Sequence, residues 1–312
     1  MSLKEFMVGA GGWAYFQIPG MHPLKAYAKI YDFVELNSSF YVIPDMKRVK
    51  RWRGMVPHTF KFTVRCHRSI SHKFKFAVLE QPLQIFERMI EICNTLNAQI
   101  LHVLFPKTLQ PTSQLANSLR NFIESAKTNG VRLAVEFRGN NVQFDKAFIR
   151  LMEDYNMIHS VDLSKDERPV VESDILYSRL FGKGEHNIYQ PTDEELRRID
   201  QLASEGPHQK VMLCFHYVKM YKDAVRFKIY KQTGKFPKVT SSTGLESLAE
   251  VLREDAVFPA TRQELISSQG WKIIDLTDDK RVRAAELLKK LRNKTYSNIE
   301  EVVQELSSAS IY

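Results

Sequence analysis

Apolar runs that close on a charged or amide residue recur along this chain. Val131-Arg132-Leu133-Ala134-Val135-Glu136-Phe137-Arg138 ends in a carboxylate and a guanidinium two residues apart. Phe33-Val34-Glu35-Leu36-Asn37, Met157-Ile158-His159-Ser160-Val161-Asp162 and Ile175-Leu176-Tyr177-Ser178-Arg179-Leu180 repeat the arrangement. Residues two apart on a strand share a face, so each polar pair points the same way. Strands are expected to start near Phe6, Phe33, Phe60, Gln99, Val131, Met157, Ile175 and Lys210, the eight that a closed barrel needs. Helical spacing fills most gaps. Leu115, Leu119, Phe122, Ile123 and Ala126 form one face before Gly130, and Thr192 with Glu195 reads as a capping box before Leu196, Ile199 and Leu202. The stretch from Asp162 to Ile175 is too short for a full helix, so one connection must be a loop or a single turn.

These elements predict an α/β fold, a TIM-like (β/α)8 barrel over residues 1–254, followed by a small all-α module over residues 255–312. In the module, Thr261 with Glu264, Asp278 ahead of Val282, Ala285, Leu288 and Leu291, and Ser297 with Glu300 each read as the opening of a short amphipathic helix. The chain has 312 residues, 44% of them hydrophobic and 26% charged, which suits one barrel of roughly 250 residues with an appendage. Cys66, Cys93 and Cys214 are far apart and odd in number, which argues against structural disulfides and fits a reducing compartment. Met1 to Phe6 lacks a basic-then-apolar leader and no run of about eighteen apolar residues exists, so the expectation is a cytoplasmic protein with no membrane partner.

Charge changes the picture. The net charge is +9, and the excess is uneven. Lys47 to Arg53 is one basic run. A second stripe carries Lys219, Lys222, Arg226, Lys228 and Lys231, with Tyr221, Phe227 and Tyr230 interleaved. Cations with aromatics between them can follow a phosphate backbone and stack on bases, so the expected partner is a polyanion, nucleic acid first. A solvated helix face is the plainer alternative.

Several segments carry a resemblance. Val8-Gly9-Ala10-Gly11-Gly12-Trp13-Ala14-Tyr15, Val34-Glu35-Leu36-Asn37-Ser38-Ser39-Phe40-Tyr41 with Pro44, Phe60 to Arg65 leading to Ser71-His72, Glu136-Phe137-Arg138, Asp162 and Arg179 to Gly182 resemble the YecE-like family, domain of unknown function seventy-two. The resemblance spans about residues 6 to 250. It implies a barrel related to the TIM barrel and no established reaction. The chain departs from that pattern at Leu104-Phe105-Pro106, at Phe181 where the family carries histidine, and at His216-Tyr217 where it carries tandem asparagines.

If the strands close, Glu35, Asn37, Arg65, Glu136, Arg138, Asp162, Arg179 and His216 converge. Glu35, Glu136 and Asp162 are the candidate catalytic carboxylates. Trp13, Asn37, Tyr41, Arg65, His72, Arg138, Arg179 and His216 are the candidate substrate contacts. Carboxylates flanked by guanidiniums suit water activation beside an anionic centre, although ion pairing inside the mouth would explain the same residues. A metal is not fixed by the sequence. No HxH or HExxH spacing occurs, and a carboxylate-bound Mg²⁺ or Mn²⁺ fits more easily than a zinc cluster. No organic cofactor is indicated. His102, His159 and Cys66 read as core residues, and Gly9 to Gly12 as tight packing at the rim. The favoured reading is a phosphodiesterase or nuclease-like hydrolase. The alternatives are an acid–base enzyme (isomerase, lyase or glycosidase) for a small sugar or acid, and a non-catalytic nucleic-acid-binding protein.

Overall fold

The computed structural model describes residues 4–139 and 142–309. Met1 to Leu3, part of the segment read above for a leader, lie outside the described residues. The chain divides into two compact units, residues 1–180 with 201–216, and residues 181–200 with 217–312. The boundary expected after residue 254 does not coincide with this division.

All eight barrel strands fall in the first unit: β1 Glu5–Ala10, β2 Phe33–Leu36, β3 Lys61–Arg65, β4 Ile100–Phe105, β5 Arg132–Phe137, β6 Ile158–His159, β7 Ile175–Leu180 and β8 Lys210–Phe215. They are parallel and run in the order β6-β5-β4-β3-β2-β1-β8-β7. A single parallel bridge, Val161 to Ser178, joins the two ends. Val161 donates to the Tyr177 carbonyl at 3.3 Å, and Arg179 donates to the Val161 carbonyl at 3.0 Å, so the ring closes through its shortest strand.

The helices of this unit are α1 Pro23–Tyr27, α2 Met46–Gly54, α3 Glu80–Leu96, α4 Ser113–Ser125 and α5 Lys146–Asp154; α6, Asp193–Ser204, follows β7. Helix α3 buries Phe86, Met89, Ile90, Cys93 and Leu96 on one face and stops where Asn97 takes a left-handed conformation, which asparagine tolerates. Thr112 caps α4 by accepting from Leu115 N at 3.3 Å. The basic run lies on α2, which buries only Val49; Lys47, Arg48, Lys50 and Arg51 are exposed, whereas Arg53 turns inward and donates to the carbonyls of Val56, Phe60 and Leu96. The short stretch after Asp162 does hold one helical turn, Leu163–Lys165. Where a full helix would lie, a cavity of about 300 Å³ opens between Ile158, Leu163, Val171, Ile175, Leu202 and His208.

Strand alternation sorts the barrel interior into layers. Met7, Phe33, Ile100, Ala134, Ile158, Ile175, Tyr177, Met212 and Cys214 form a buried apolar cluster. One alternation further along, β2, β3, β4, β5 and β7 present Glu35, Arg65, His102, Glu136 and Arg179, and His216 follows β8. The lower barrel is thus hydrocarbon and the upper end is charged.

The second unit contains α7 Met220–Thr233, α8 Gly244–Asp255, α9 Arg262–Gln269, α10 Ala285–Leu288 and α11 Ile299–Ala309. Its own core includes Leu248, Leu252, Leu265, Ile274, Leu288, Tyr296, Val302 and Leu306. Helices dominate, and two small antiparallel ladders that the pattern did not predict tie them together: β9 Ala260–Thr261 with β12 Thr295–Tyr296, and β10 Ile273–Asp275 with β11 Arg281–Arg283. The capping boxes at Thr192/Glu195 and Thr261/Glu264 form. Asp278 does not open a helix, because it sits in the turn joining β10 to β11. The last helix is capped one residue later than expected, by Asn298, which accepts from Glu301 N at 2.9 Å.

The basic stripe on α7 is largely neutralised within this unit. Arg226 is buried and pairs with Asp193 at 2.8 Å and Asp223 at 3.0 Å, so it cannot meet a phosphate backbone. Lys219 and Lys222 both reach Glu254, at 2.7 and 3.3 Å, and Lys231 reaches Asp200 at 2.7 Å. Lys228 is half-buried. The stripe is not an open row of cations.

Candidate active site at the barrel mouth

Arg179 organises the charged layer. It sits at 2% exposure near the end of β7 and reaches carboxylates on two other strands. Its Nε donates to Glu35 Oε2 at 2.9 Å and its Nη2 to Glu35 Oε1 at 3.0 Å, a bidentate fork. Its Nη1 donates to Glu136 Oε2. Glu35 also accepts from the Tyr177 hydroxyl at 2.7 Å, and His216 Nε2 lies 3.5 Å from its Oε1. Glu136 meets His102 Nε2 at 2.9 Å and Arg138 Nε on its other oxygen. An ionised carboxylate can only accept, so His102 carries its proton on Nε2; its buried Nδ1 has no hydrogen-bond partner.

Arg65 forms the next layer outward. Its Nη1 donates to Asn37 Oδ1, its guanidinium lies 4.0 Å over the Phe40 ring, and its buried Nε has no hydrogen-bond partner. Ser39 ties the ends of β2 and β3 together, donating to the carbonyls of Leu36 at 2.8 Å and Arg65 at 2.6 Å. On β1, a Cβ at Gly11 would lie 2.3 Å from His216 Cε1, so only glycine lets that ring lie against the backbone. Gly9 and Gly11 thus act by close packing, Gly11 at the site itself, whereas Gly12 is open around its Cα and takes a positive φ of 115°.

Burial would raise both glutamates, but the opposing field wins. Arg179, with the neighbouring histidines, holds Glu35 far below the ordinary carboxylate range, and Arg179, His102 and Arg138 hold Glu136 well below it. Burial and then Arg179 push His102 down to about 4 and His216 to about 3, so both rings are neutral at pH 7. Burial and Glu35 raise the Tyr177 hydroxyl, which stays a donor. Three guanidiniums (Arg65, Arg138, Arg179) and two carboxylates (Glu35, Glu136) thus make up this network.

Other expected residues stand apart from this network or at its edge. Asp162 caps the turn after β6, accepting from Ser164 N at 3.0 Å and from the Ser164 hydroxyl, with Lys165 3.6 Å away. These bonds tie Asp162 to the turn that follows β6. His72 packs edge-on to Phe40 and bonds Ser71 at 2.9 Å. Trp13 packs edge-on against Trp52 and Phe62, as a half-buried roof. Tyr41 is exposed, with Arg68 5.8 Å from its ring centre. Cys66 is a buried thiol pushed up to about 12, as a core residue should be. His102, Tyr177 and Cys214 were not singled out as site residues. Each occupies an inward strand position whose sequence context reads as ordinary core.

The class of molecule is now defined: an eight-stranded parallel barrel of the TIM type, with ionisable residues gathered where the strands end. A sequence profile described as a protein of unknown function, DUF72, matches residues 7–232, and the protein belongs to that family. The structure is similar to a DUF72-family protein of Enterococcus faecalis (17% identity, 75% of this chain and 98% of the other, TM-score 0.58). It is equally similar to one of Thermotoga maritima (18% identity, 73% and 99%, TM-score 0.58). At these identities the likeness speaks to fold. No curated protein matches the chain. Among the described residues, no helix is long and apolar enough to cross a membrane.

Proposed function

We propose that the barrel mouth performs acid–base chemistry on a small anionic sugar or organic acid, moving a proton beside a carbonyl as an isomerase or lyase does. The observation that carries this reading is the Glu35–Arg179–Glu136 bridge, flanked by neutral histidines and surplus guanidinium charge. A nuclease reading finds no support in the basic stripe, since Arg226 is buried and Lys219, Lys222 and Lys231 have carboxylate partners. A glycosidase is disfavoured too. It needs one carboxylic acid kept protonated, and both glutamates are held below the ordinary range.

Glu136 is the better base of the two. Glu35 is fully buried and held by the bidentate fork of Arg179 and by the Tyr177 hydroxyl, so it fixes Arg179. Glu136 lies beside Arg138, whose side chain is 38% exposed and which marks the solvent side. An anionic substrate group engaging Arg138 and Arg65 would weaken their pull on Glu136 and raise its proton affinity, so the substrate tunes its own base. Arg65 and Arg138 would then stabilise charge developing on a carbonyl oxygen, Glu136 would return the proton it took, and His102 would hold Glu136 in place.

Deuterium exchange tests this. The protein is incubated in D₂O with small sugar acids, keto acids and sugar phosphates, and loss of the proton next to the carbonyl is followed by NMR. Exchange should occur, fall at least a hundredfold in Glu136→Gln, and show a raised KM in Arg65→Met. Cleavage of labelled DNA or RNA that disappears in Glu136→Gln would replace this reading with the hydrolase.

A further inference from the structure

Cys214 and His216 are two residues apart at the end of β8, so both point toward Glu35. The Cys214 Sγ, a Glu35 carboxylate oxygen and a His216 ring nitrogen lie within 4.8 Å of one another, and all three residues are buried. We propose that Glu35, Cys214 and His216 bind one zinc-class divalent cation at the barrel mouth. This proposal stands apart from the acid–base reading, because ion binding is measured on the protein without substrate.

The donor chemistry selects the ion. A thiolate with an imidazole favours zinc-like cations, whereas Mg²⁺ and Mn²⁺ prefer all-oxygen sites. The Mg²⁺ or Mn²⁺ expected from the sequence therefore does not match this set. Geometry agrees. Tetrahedral zinc with ordinary bond lengths separates an oxygen and a nitrogen ligand by about 3.4 Å, and Glu35 Oε1 lies 3.5 Å from His216 Nε2. The Cys214 sulfur lies within 4.8 Å of both. Tyr177 and Arg179 Nε hold Glu35 Oε2, and Arg179 Nη2 donates to the Oε1 offered to the ion, outer hydrogen bonds of the kind that orient a metal ligand. Gly11 lets the His216 ring lie where it does, since a Cβ there would fall 2.4 Å from Nδ1.

Binding converts the Cys214 thiol to a thiolate and releases that proton to solvent; the thiolate is the new negative charge, and the Glu35 carboxylate is shared between the ion and Arg179. Three protein donors leave a fourth position for water or a substrate oxygen, as catalytic rather than structural sites do.

The test uses the full-length protein stripped with EDTA. Titration with Zn²⁺ should give one equivalent by calorimetry, and Co²⁺ should give a thiolate-to-cobalt charge-transfer band. Cys214→Ser should abolish the band and weaken Zn²⁺ at least tenfold, while Cys66→Ser keeps both. Gly11→Ala leaves every donor in place and should weaken Zn²⁺ about tenfold by displacing His216. Absence of the band and of binding heat overturns the proposal, as does a band that survives Cys214→Ser. Should Cys214→Ser fail to fold, His216→Asn decides: a tenfold loss supports the site and unchanged affinity overturns it.

Discussion

Arg179→Met removes the one cation shared by two buried carboxylates. Glu35 keeps the Tyr177 hydroxyl and Glu136 keeps His102 and Arg138, but neither retains a fully buried counter-charge. Breaking a buried ion pair by deleting one partner costs about 3–5 kcal/mol. Total stability is about 5–15 kcal/mol, so the variant should be folded but weakened. For a unit of this size, roughly 4 kcal/mol corresponds to a fall in Tm of about 8–16 °C.

The pH dependence is the sharper part. In the native protein both carboxyls are depressed, so their pairing contributes stability above the unfolded carboxylate range and loses it as pH falls. In Arg179→Met burial is less opposed. The same groups move upward, and their contribution is lost as pH rises through the raised values. The penalty should therefore be large at pH 7.5 and shrink toward pH 4. Urea unfolding of both proteins in EDTA at pH 4, 5.5 and 7.5 measures it. Adding Glu35→Gln and Glu136→Gln to Arg179→Met should recover much of the loss at pH 7.5. A penalty under about 1 kcal/mol at pH 7.5, or one that does not vary with pH, would refute the reasoning, since a buried pair so broken costs several kcal/mol.

Other consequences are simpler to state. Burial depresses His159 to about 4, so the unfolded chain binds its proton first as pH falls. Stability should drop between about pH 6.5 and 4 by roughly 1.4 kcal/mol per unit, and His159→Gln should flatten that slope in urea melts; a slope unchanged by the substitution counts against it. Arg226→Met should cost about 3–5 kcal/mol of stability through loss of the Asp193 and Asp223 pairs, read as a lower Tm. An unchanged melt with weaker nucleic-acid binding would instead restore Arg226 to a phosphate-contacting role. Gly9→Ala places a Cβ 2.3 Å from the Phe33 carbonyl oxygen, which backbone cannot yield cheaply. A loss of about 1–3 kcal/mol is expected in thermal unfolding, and a neutral result would mean that β1 and β2 shift freely.

The barrel was legible because strand bodies buried on both faces leave a mark in sequence, and so was the short connection after Asp162. Glu35, Glu136, Arg65 and Arg179 could be grouped because residues at matching heights on parallel strands must converge. What failed was information carried by partners distant in sequence. Nothing near Arg226 says that Asp193 neutralises it, and nothing near Lys219 or Lys222 points to Glu254. Cys214 and His102 look like core because they are core, and only their height in the barrel brings them to the charged layer. Asp278 misled because Val282, in a strand of three residues too short to show its own period, falls by accident at helical spacing from Ala285 and Leu288, which lie on α10.

The charged layer calls for an explanation beyond stability. Buried ion pairs of this kind are often no better than well-packed hydrocarbon for holding a fold together, and the layer beneath, from Met7 to Cys214, shows that this barrel fills its interior with hydrocarbon readily. A chain selected only for folding could extend that packing upward. Instead five strands each contribute an ionisable group near the mouth, with three guanidiniums against two carboxylates and neutral imidazoles beside them. The unbalanced positive charge is the informative part. Among the described residues the Arg65 Nε is buried without a hydrogen-bond partner, and the Arg138 side chain is 38% exposed. The anionic substrate proposed above would meet that imbalance, since a buried donor left unmatched is costly.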